Sequence, residues 1–327
     1  MTEPAGVSPR YGRIVVVSYN CASFVNRLFG CLLAQTEQDF ELVLVDNASA
    51  DAAEIAMPDD SRFTLIRLDR NLGFAAANNL GARGARTEWI VTLNPDAFPD
   101  PDWLARLYEA ARRHPEAAMF GSTQLFEHDP GLLDGAGDLY SVFGVARRIG
   151  YRTRAVPPYR SGEVFSPCAA AAMYRRDAFE AAQGFDKDFF CYCEDVDLGF
   201  RIRLAGGMAL QVGEAVVHHV SSGVSSQYGT FALYHGIRNQ IWTLVKNVPS
   251  ALLPLALCGH AAALAVMFAL RWRGEEARAA GRGIRDALRG LGGVLAKRRK
   301  VQRARRASLG AVARVLTWNP LAVLRRG

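Results

Sequence analysis

The stretch Trp89-Ile90-Val91-Thr92-Leu93-Asn94-Pro95-Asp96-Ala97-Phe98 decides how the chain is read. Its first five residues are apolar or β-branched and are bounded by Arg86-Thr87-Glu88 and Asn94-Pro95, the pattern of a strand covered on both faces. The strand runs out on Asp96. In an open parallel sheet ligands lie beyond the carboxyl ends of the strands, so a carboxylate there is placed to meet a charged substrate or its metal. Taken alone, Asn94, Pro95 and Asp96 also suit a plain turn. The segments on either side favour the first reading.

Upstream, Ile14 to Ser18 in RIVVVSYN is a valine run suited to a parallel sheet. Ala22 to Gln35 carries Phe24, Val25, Leu28, Leu32 and Leu33 at helical spacing. Leu42 to Val45 is a second strand ending on Asp46, after which Asn47-Ala48-Ser49 is expected to open a second helix. Phe63 to Leu68 leads through Arg70-Asn71-Leu72-Gly73 into an alanine-rich helix from Phe74 to about Ala85. Downstream, Pro101 to Arg113 reads as a helix with proline in its first turn. This alternation predicts an α/β fold built on a doubly wound, mostly parallel sheet. Ser18-Tyr19-Asn20, Asp46-Asn47 and Asn94-Pro95-Asp96 then share one rim, where a nucleotide would lie. The loop after the first strand lacks G-x-G-x-x-G, which argues against a dinucleotide fold and equally against a P-loop. Phosphates bound on this rim must be neutralised by a metal or by cationic side chains.

From Phe126 to about Val164 the periodicity gives way to Gly, Pro, Tyr and Arg, read as a long excursion over the site. The small residues Cys168 to Ala172 suit close packing beneath a ligand, and Arg176 to Ala182 reads as a helix ending at Gly184. The segment Phe189 to Gly207, FFCYCEDVDLGFRIRLAGG, is the densest in chemistry. Leu198, Ile202 and Ala205 form one helical face and Gly206-Gly207 ends it, which puts Asp195 at or near the N-cap. Glu194, Asp195 and Asp197 place three carboxylates within four residues, more than a cap needs. Helix-end amides favour a charged carboxylate while mutual repulsion opposes it, so one of the three can serve as a general base near neutral pH. Met208 to Val217 is strand-like and ends at His218-His219 and Ser221-Ser222-Gly223. A histidine there either joins Asp96 as a metal ligand or is an ordinary core or surface residue.

The charge is unevenly spread. From Arg271 to the end there are 16 Lys and Arg against 3 Asp and Glu, whereas the first 270 residues hold 23 against 29. Six cysteines and no recognisable leader point to reduced thiols in a cytosolic compartment. Cys191 and Cys193 are read as small packing residues, their C-x-C spacing being poor for zinc. Tyr228 to Asn247 is an amphipathic helix, and Val248 to Leu270 carries no Asp, Glu, Lys or Arg. That segment reaches the roughly 20 residues needed to cross a bilayer, although Pro249, Pro254 and His260 weaken the pattern. Spanning, lying against the membrane face and packing as a core helix all stay open. Beyond it, Ile284, Leu288, Leu291 and Leu295 form one stripe and Arg278, Arg282, Arg285 and Arg289 another, followed by the basic cluster Lys297 to Lys300, Arg303, Arg305 and Arg306. Anionic lipid headgroups are the expected partner rather than nucleic acid, because the uncharged segment precedes the basic one. A solvated, disordered end is the alternative.

Six motifs in order carry a resemblance to a known family: VSYN at Val17 to Asn20, VDNAS at Val45 to Ser49, RNLGFAAANN at Arg70 to Asn79, LNPDAF at Leu93 to Phe98, the segment Gly184 to Gly207, and VVHH at Val216 to His219. The sequence closely resembles the inverting glycosyltransferases of family 2, of GT-A fold, and among them the rhamnosyltransferase-like branch of bacterial cell-surface polysaccharide synthesis. The resemblance covers about residues 13 to 247. It implies a flexible N-terminus at 1–12, a glycosyltransferase domain at 13–247 with donor half about 13–125 and acceptor half about 126–247, and a helical membrane-associating tail at 248–327.

The resemblance also implies roles. Asp46 would bond the nucleotide base, with Ser18, Tyr19 and Asn20 lining that pocket and Arg70 nearby. Asn94 and Asp96 stand where the family usually has Asp-x-Asp, holding Mg²⁺ or Mn²⁺ and the donor diphosphate. His218 would complete the metal shell, with His219 as the alternate. Asp195 would be the catalytic base, with Glu194 and Asp197 on the acceptor side. Asparagine in place of the first aspartate lowers the charge at the metal, so Asp96 should matter more. It is also typical of the rhamnosyl branch, which implies dTDP-rhamnose as donor and a lipid-linked or glycan acceptor at the cytoplasmic face of the bacterial inner membrane, reached peripherally or by partial insertion. A sugar-nucleotide-binding scaffold without turnover is the alternative, and a nucleotidyltransferase is disfavoured by the missing glycine-rich loop.

Overall fold

The computed structural model describes residues 11–221, 229–270 and 273–319. The expected frayed residues 1–10, Ser222 and Gly223 of the rim, Tyr228 before the amphipathic helix, and Arg271, Arg325 and Arg326 of the tail lie outside them. The first half alternates as its sequence predicts: β1 (Gly12–Ser18), α1 (Ala22–Leu33), β2 (Phe40–Asp46), β3 (Phe63–Arg67), α2 (Gly73–Ala82) and β4 (Trp89–Leu93). These four strands pair parallel in the order β3-β2-β1-β4. Every residue of β4 is buried, as a strand covered on both faces requires. No second helix follows β2. The loop Asn47 to Asp51 is tied instead to its neighbours and yields only a single 3-10 turn at Ala52–Glu54. Asn47 spends its side chain on the Leu72 amide at 2.8 Å and on Asn71 at 2.8 Å, and Ala48 is left-handed (φ 65°), so a helix cannot start there.

β5 (Ala97–Pro99) and α3 (Trp103–Arg113) follow, and then β6 (Ala117–Phe126), which the hydrophobic pattern does not reveal. Its ten residues are all buried, yet Ser122, Thr123 and Gln124 break the apolar run. Burial of Ser122 and Thr123 is tolerated because Trp103 donates to Ser122 Oγ at 2.8 Å and Thr123 donates to the Gly213 carbonyl at 2.9 Å. The excursion after Phe126 is built of short strands: β7 (Asp129–Gly135), the hairpin β8 (Asp138–Tyr140) and β9 (Ala146–Arg148), and β10 (Gly162–Glu163). β11 (Ala171–Arg175) then inserts antiparallel between β4 and β6. After α4 (Arg176–Ala181) and α5 (Glu194–Leu204), β12 (Met208–His219) lies parallel to β6 and antiparallel to β5. The sheet is thus parallel in its first half and mixed in its second.

After β12 the described residues form five helices: α6 (Gly229–Asn247), α7 (Leu253–Leu270), α8 (Gly274–Arg289), α9 (Leu291–Ala304) and α10 (Leu309–Val315). They do not stand apart from the sheet domain. Leu244, Val245, Val248, Val294, Val312 and Leu316 share one core with Tyr140, Phe165, Val196 and Phe200. The stripe Ile284 to Leu295 is divided at Gly290: Ile284 packs against the α6–α8 cluster and Leu291 against the shared core, whereas Leu288 and Leu295 face outward. The basic cluster is divided too. Lys297 pairs with Asp186 and Asp188, and Arg298 donates to the Val245 and Val248 carbonyls, so these two are not available to a headgroup. Arg299, Lys300, Arg303, Arg305 and Arg306 remain exposed, as do Arg278, Arg282, Arg285 and Arg289 along α8. Among the described residues α7 is the one helix long and apolar enough to cross a membrane, with mean hydropathy 2.0 and 11% of it buried. Its buried residues are Ala256 and His260, while Leu255, Leu257, Val266 and Leu270 are exposed.

Candidate active site

The carboxyl ends of β1, β2 and β4 open onto a cleft of about 780 Å³. Asp96 and Asp195, ninety-nine positions apart in sequence, both line it. Tyr19, Asn47 and Asn71 form its end nearest β1 and β2, Cys168 to Ala170 its floor, and Phe190 to Val196 its far wall.

Asp96 is placed by pairing. β12 lies against β5 with His219 opposite Ala97, and the Val220 amide donates to the Asp96 carbonyl at 3.0 Å. Successive side chains of a strand point to opposite faces. His219 therefore reaches Asp96 Oδ1 with Nε2 at 3.3 Å, and His218 turns away to Asp100 Oδ1 at 3.2 Å. The resemblance put His218 on the metal first and His219 second; the strand register reverses that order. Asn94 Nδ2 lies 3.3 Å from the same His219 nitrogen.

The other His219 nitrogen meets Asp134, a buried carboxylate on β7, at 2.8 Å. Asp134 also accepts from Ser221 Oγ at 2.8 Å and from Arg148 Nη1 at 2.7 Å. Burial alone would raise the Asp134 carboxyl, but His219, Arg148 and Ser221 hold it below its ordinary range. Burial likewise opposes charging the His219 ring, yet hydrogen bonds to Asp134 and Asp96 outweigh it and push its pKa up to about 9.

Asp195 occupies the second position of α5, whose N-cap is Cys193 in the left-handed region. Its carboxylate accepts from the Ala169 amide at 3.1 Å and the Val196 amide at 2.8 Å, which fixes it over the floor of the cleft. Two neighbours are of a different kind. Burial, reinforced by the charge of Asp195, raises the Glu194 and Asp138 carboxyls well above the usual range. Asp197 is not on the cleft. It is fully buried behind α5, paired with Arg201 at 2.8 Å and Lys246 at 2.7 Å and receiving Asn247 at 2.8 Å, because its position in the helix turns it toward α6. The expectation of an acceptor-side role is replaced by a structural one.

The loop leading to Asp195 is strained. Phe190, Tyr192 and Cys193 all have φ between 64° and 67°, conformations that cost on the order of 1–3 kcal/mol each unless the surroundings impose them. They are imposed from α6: Asn239, wholly buried, reaches the carbonyls of Phe189, Cys191 and Tyr192 with Nδ2 at 3.0, 2.8 and 2.7 Å. Gly73, at φ 80°, accommodates the loop from the other side, since a Cβ there would lie 2.4 Å from the Phe190 ring.

A family model, glycosyl transferase family 2, matches residues 13–182. The chain belongs to that family. It is 28% identical over 234 residues to an N-acetylglucosaminyl-diphospho-decaprenol L-rhamnosyltransferase of Mycobacterium tuberculosis, covering 63% of this chain and 75% of that one. Among solved structures it is similar to TarS of S. aureus (residues 1–349; TM-score 0.58, 16% identity, 90% of this chain and 86% of that one). It is likewise similar to the mannosyltransferase PcManGT of Pyrobaculum calidifontis in complex with GDP-Man and Mn²⁺ (TM-score 0.52, 18% identity, 92% and 89%). These likenesses show the fold, which is GT-A.

In this glycosyltransferase the expected donor residues divide. Tyr19, Asn94 and Asp96 line the cleft. Ser18 and Asp46 are buried behind it, Ser18 against Cys21 Sγ at 3.4 Å and Asp46 accepting from the Ser49 amide at 3.2 Å. Asn20 ties two loops by accepting from the Ala50 amide at 2.7 Å, and Arg70 is exposed away from the cleft. Asn71, Asp134, Asp138, Arg148 and Asn239 carry no signal of their own in the sequence. Asp96 and, once its Nε2 has given up the proton, His219 would give a metal two protein donors, and among the described residues no three His, Cys, Asp or Glu side chains converge as a closed site. That donor set fits Mg²⁺ or Mn²⁺, which take one or two carboxylates and complete their shell with water and substrate phosphate.

Proposed function

We propose that the protein is an inverting, divalent-metal-assisted rhamnosyltransferase using dTDP-rhamnose and a lipid-linked or polysaccharide acceptor at the cytoplasmic membrane face. The observation that carries this reading is the convergence of Asp96, with His219, and Asp195 on one cleft large enough for a sugar nucleotide. Tyr19, Asn47 and Asn71 receive the nucleoside at the β1–β2 end, with Asp46 behind them. Asp96, with His219 once deprotonated, would hold the metal, which would supply positive charge to a diphosphate. Asp195 takes the proton of the acceptor hydroxyl as that oxygen bonds to the anomeric carbon. The bond from that carbon to the diphosphate breaks on the opposite side, and configuration inverts. The rhamnosyl donor and lipid-linked acceptor are supported by the Asn94-Pro95-Asp96 triplet and by similarity to the mycobacterial enzyme. The membrane site is supported by the outward apolar residues of α7 beside the exposed arginines of α8.

The test is transfer from dTDP-rhamnose to N-acetylglucosaminyl-diphospho-polyprenol in detergent with Mn²⁺, with the product anomer read by NMR. Inverted product that disappears with chelator is the expected result. Retained configuration, or full turnover in EDTA, overturns the mechanism.

A further inference from the structure

The cleft has no glycine-rich phosphate loop, and its charged carboxylates need a counterweight before a diphosphate can enter. Among the described residues the Lys and Arg side chains that line it are Arg147 and Arg148, both on the β8–β9 hairpin. Arg148 is built in. Its Nη1 donates to Asp134 Oδ2 at 2.7 Å and to the Asp134 carbonyl at 3.4 Å, and its Nη2 lies 3.5 Å from Cys168 Sγ. Gly135 makes room for it, since a Cβ there would stand 2.3 Å from Arg148 Cδ. The side chain keeps 30% exposure, on the cleft it lines. Asp134 also holds His219. One buried carboxylate thus sets the spacing between the Asp96–His219 pair and a guanidinium on the same cavity.

We propose that Arg148 binds the diphosphate of the sugar-nucleotide donor directly, with Asp134 fixing its position relative to the metal-binding pair. The inference rests on the donor reading above and names the side chain that reading lacked. A planar fork suits a phosphate because two N–H groups can meet two oxygens at once, and a cation already held in place loses little freedom when the ligand arrives.

Titration of thymidine diphosphate and of thymidine, each with Mn²⁺ and with EDTA, followed by NMR of the thymine methyl, tests the role. Arg148→Ala should weaken thymidine diphosphate roughly 10- to 100-fold, with and without Mn²⁺, and leave thymidine unchanged. Arg148→Lys keeps the charge and the Asp134 partner but loses the fork. It should fall between the two, and it carries the test by itself if the alanine variant does not fold. An equal loss for thymidine shows a merely structural residue, and a loss confined to Mn²⁺ shows action through His219 alone; either overturns the inference. Failure of the wild-type protein to bind thymidine, uridine or guanosine diphosphate is a different result, which removes the donor reading itself.

Discussion

Asp195 is held by the amides of Ala169 and Val196 over the floor of the cleft, the position the proposed base needs. Asp195→Asn should lower kcat by about 10²- to 10⁴-fold, the usual worth of a positioned base, with donor affinity unchanged by calorimetry. A parallel fall in donor affinity would show that Asp195 binds rather than catalyses. The histidine pair offers a sharper discrimination. His219→Ala should abolish the Mn²⁺-dependent part of donor binding, while His218→Ala, whose ring rests on Asp100 at the partly exposed edge, should leave it intact. At this scale the sequence was legible where a residue ends a strand or opens a helix, as Asp96 and Asp195 do. It was silent where the partner comes from elsewhere. Which of two adjacent histidines reaches Asp96 depends on the β5–β12 register, and nothing local sets that register.

Among the elements, the loop from Phe190 to Cys193 shows most clearly how α6 serves the chemistry. Asn239→Leu removes the donor to three carbonyls while keeping the same branched heavy-atom skeleton. The expected result is a fall in kcat on the order of 10- to 100-fold, as misplacement of a catalytic group by about 1 Å costs, with the KM for donor little changed; equal changes in both would point to general unfolding. A second bond joins the same helix to α5 from behind. Lys246, 2% exposed, bridges Asp186 at 2.6 Å and Asp197 at 2.7 Å. Lys246→Met takes one of two cationic partners from each carboxylate, leaving Lys297 on Asp186 and Arg201 on Asp197, and should cost about 1.5–3 kcal/mol in denaturant unfolding. Burial would raise Asp186, but Lys246 and Lys297 hold it well below the ordinary carboxylate range. A carboxyl depressed in the folded state stabilises above its unfolded pKa of about 3.9 and loses that contribution as pH falls further. Wild-type stability should therefore drop steeply below about pH 4, and Asp186→Asn should flatten that limb. The helices and most parallel strands were legible from period alone. β6 was not, because Ser122 and Thr123, which break its apolar run, are bonded to Trp103 and Gly213 from distant segments, and the strands β8, β9 and β10 are too short to carry a period.

For the whole molecule, the sequence's division into an enzyme and an appended tail does not describe the packing. Val294, Val312 and Leu316 complete the core that backs α5, so cutting the chain before α9 would expose Phe200 and Val245 rather than release a free domain. Membrane attachment is better probed by point changes. Leu255→Asp with Leu257→Asp should reduce co-sedimentation with phosphatidylglycerol vesicles and leave the melting temperature in place, since both side chains already face outward. Replacing Arg278, Arg282, Arg285 and Arg289 by Gln should weaken binding most at low salt, each basic side chain near an anionic surface being worth about 1 kcal/mol. Unchanged sedimentation of both variants would end the case for this face. Composition had shown that the end of the chain is basic and apolar; it could not show which charges are spent inside.

Helix α6 looks two ways. Phe231, Gly236 and Gln240 face the cleft, while Leu233, Ile237 and Ile241 pack toward Leu264, Met267 and Phe268 of α7. A single helix is about 10–12 Å across with its side chains, so that thickness separates the cleft from α7. Were the acceptor lipid-linked and α7 seated at a membrane, as proposed above, the accepting hydroxyl would have to be carried over that distance to reach Asp195.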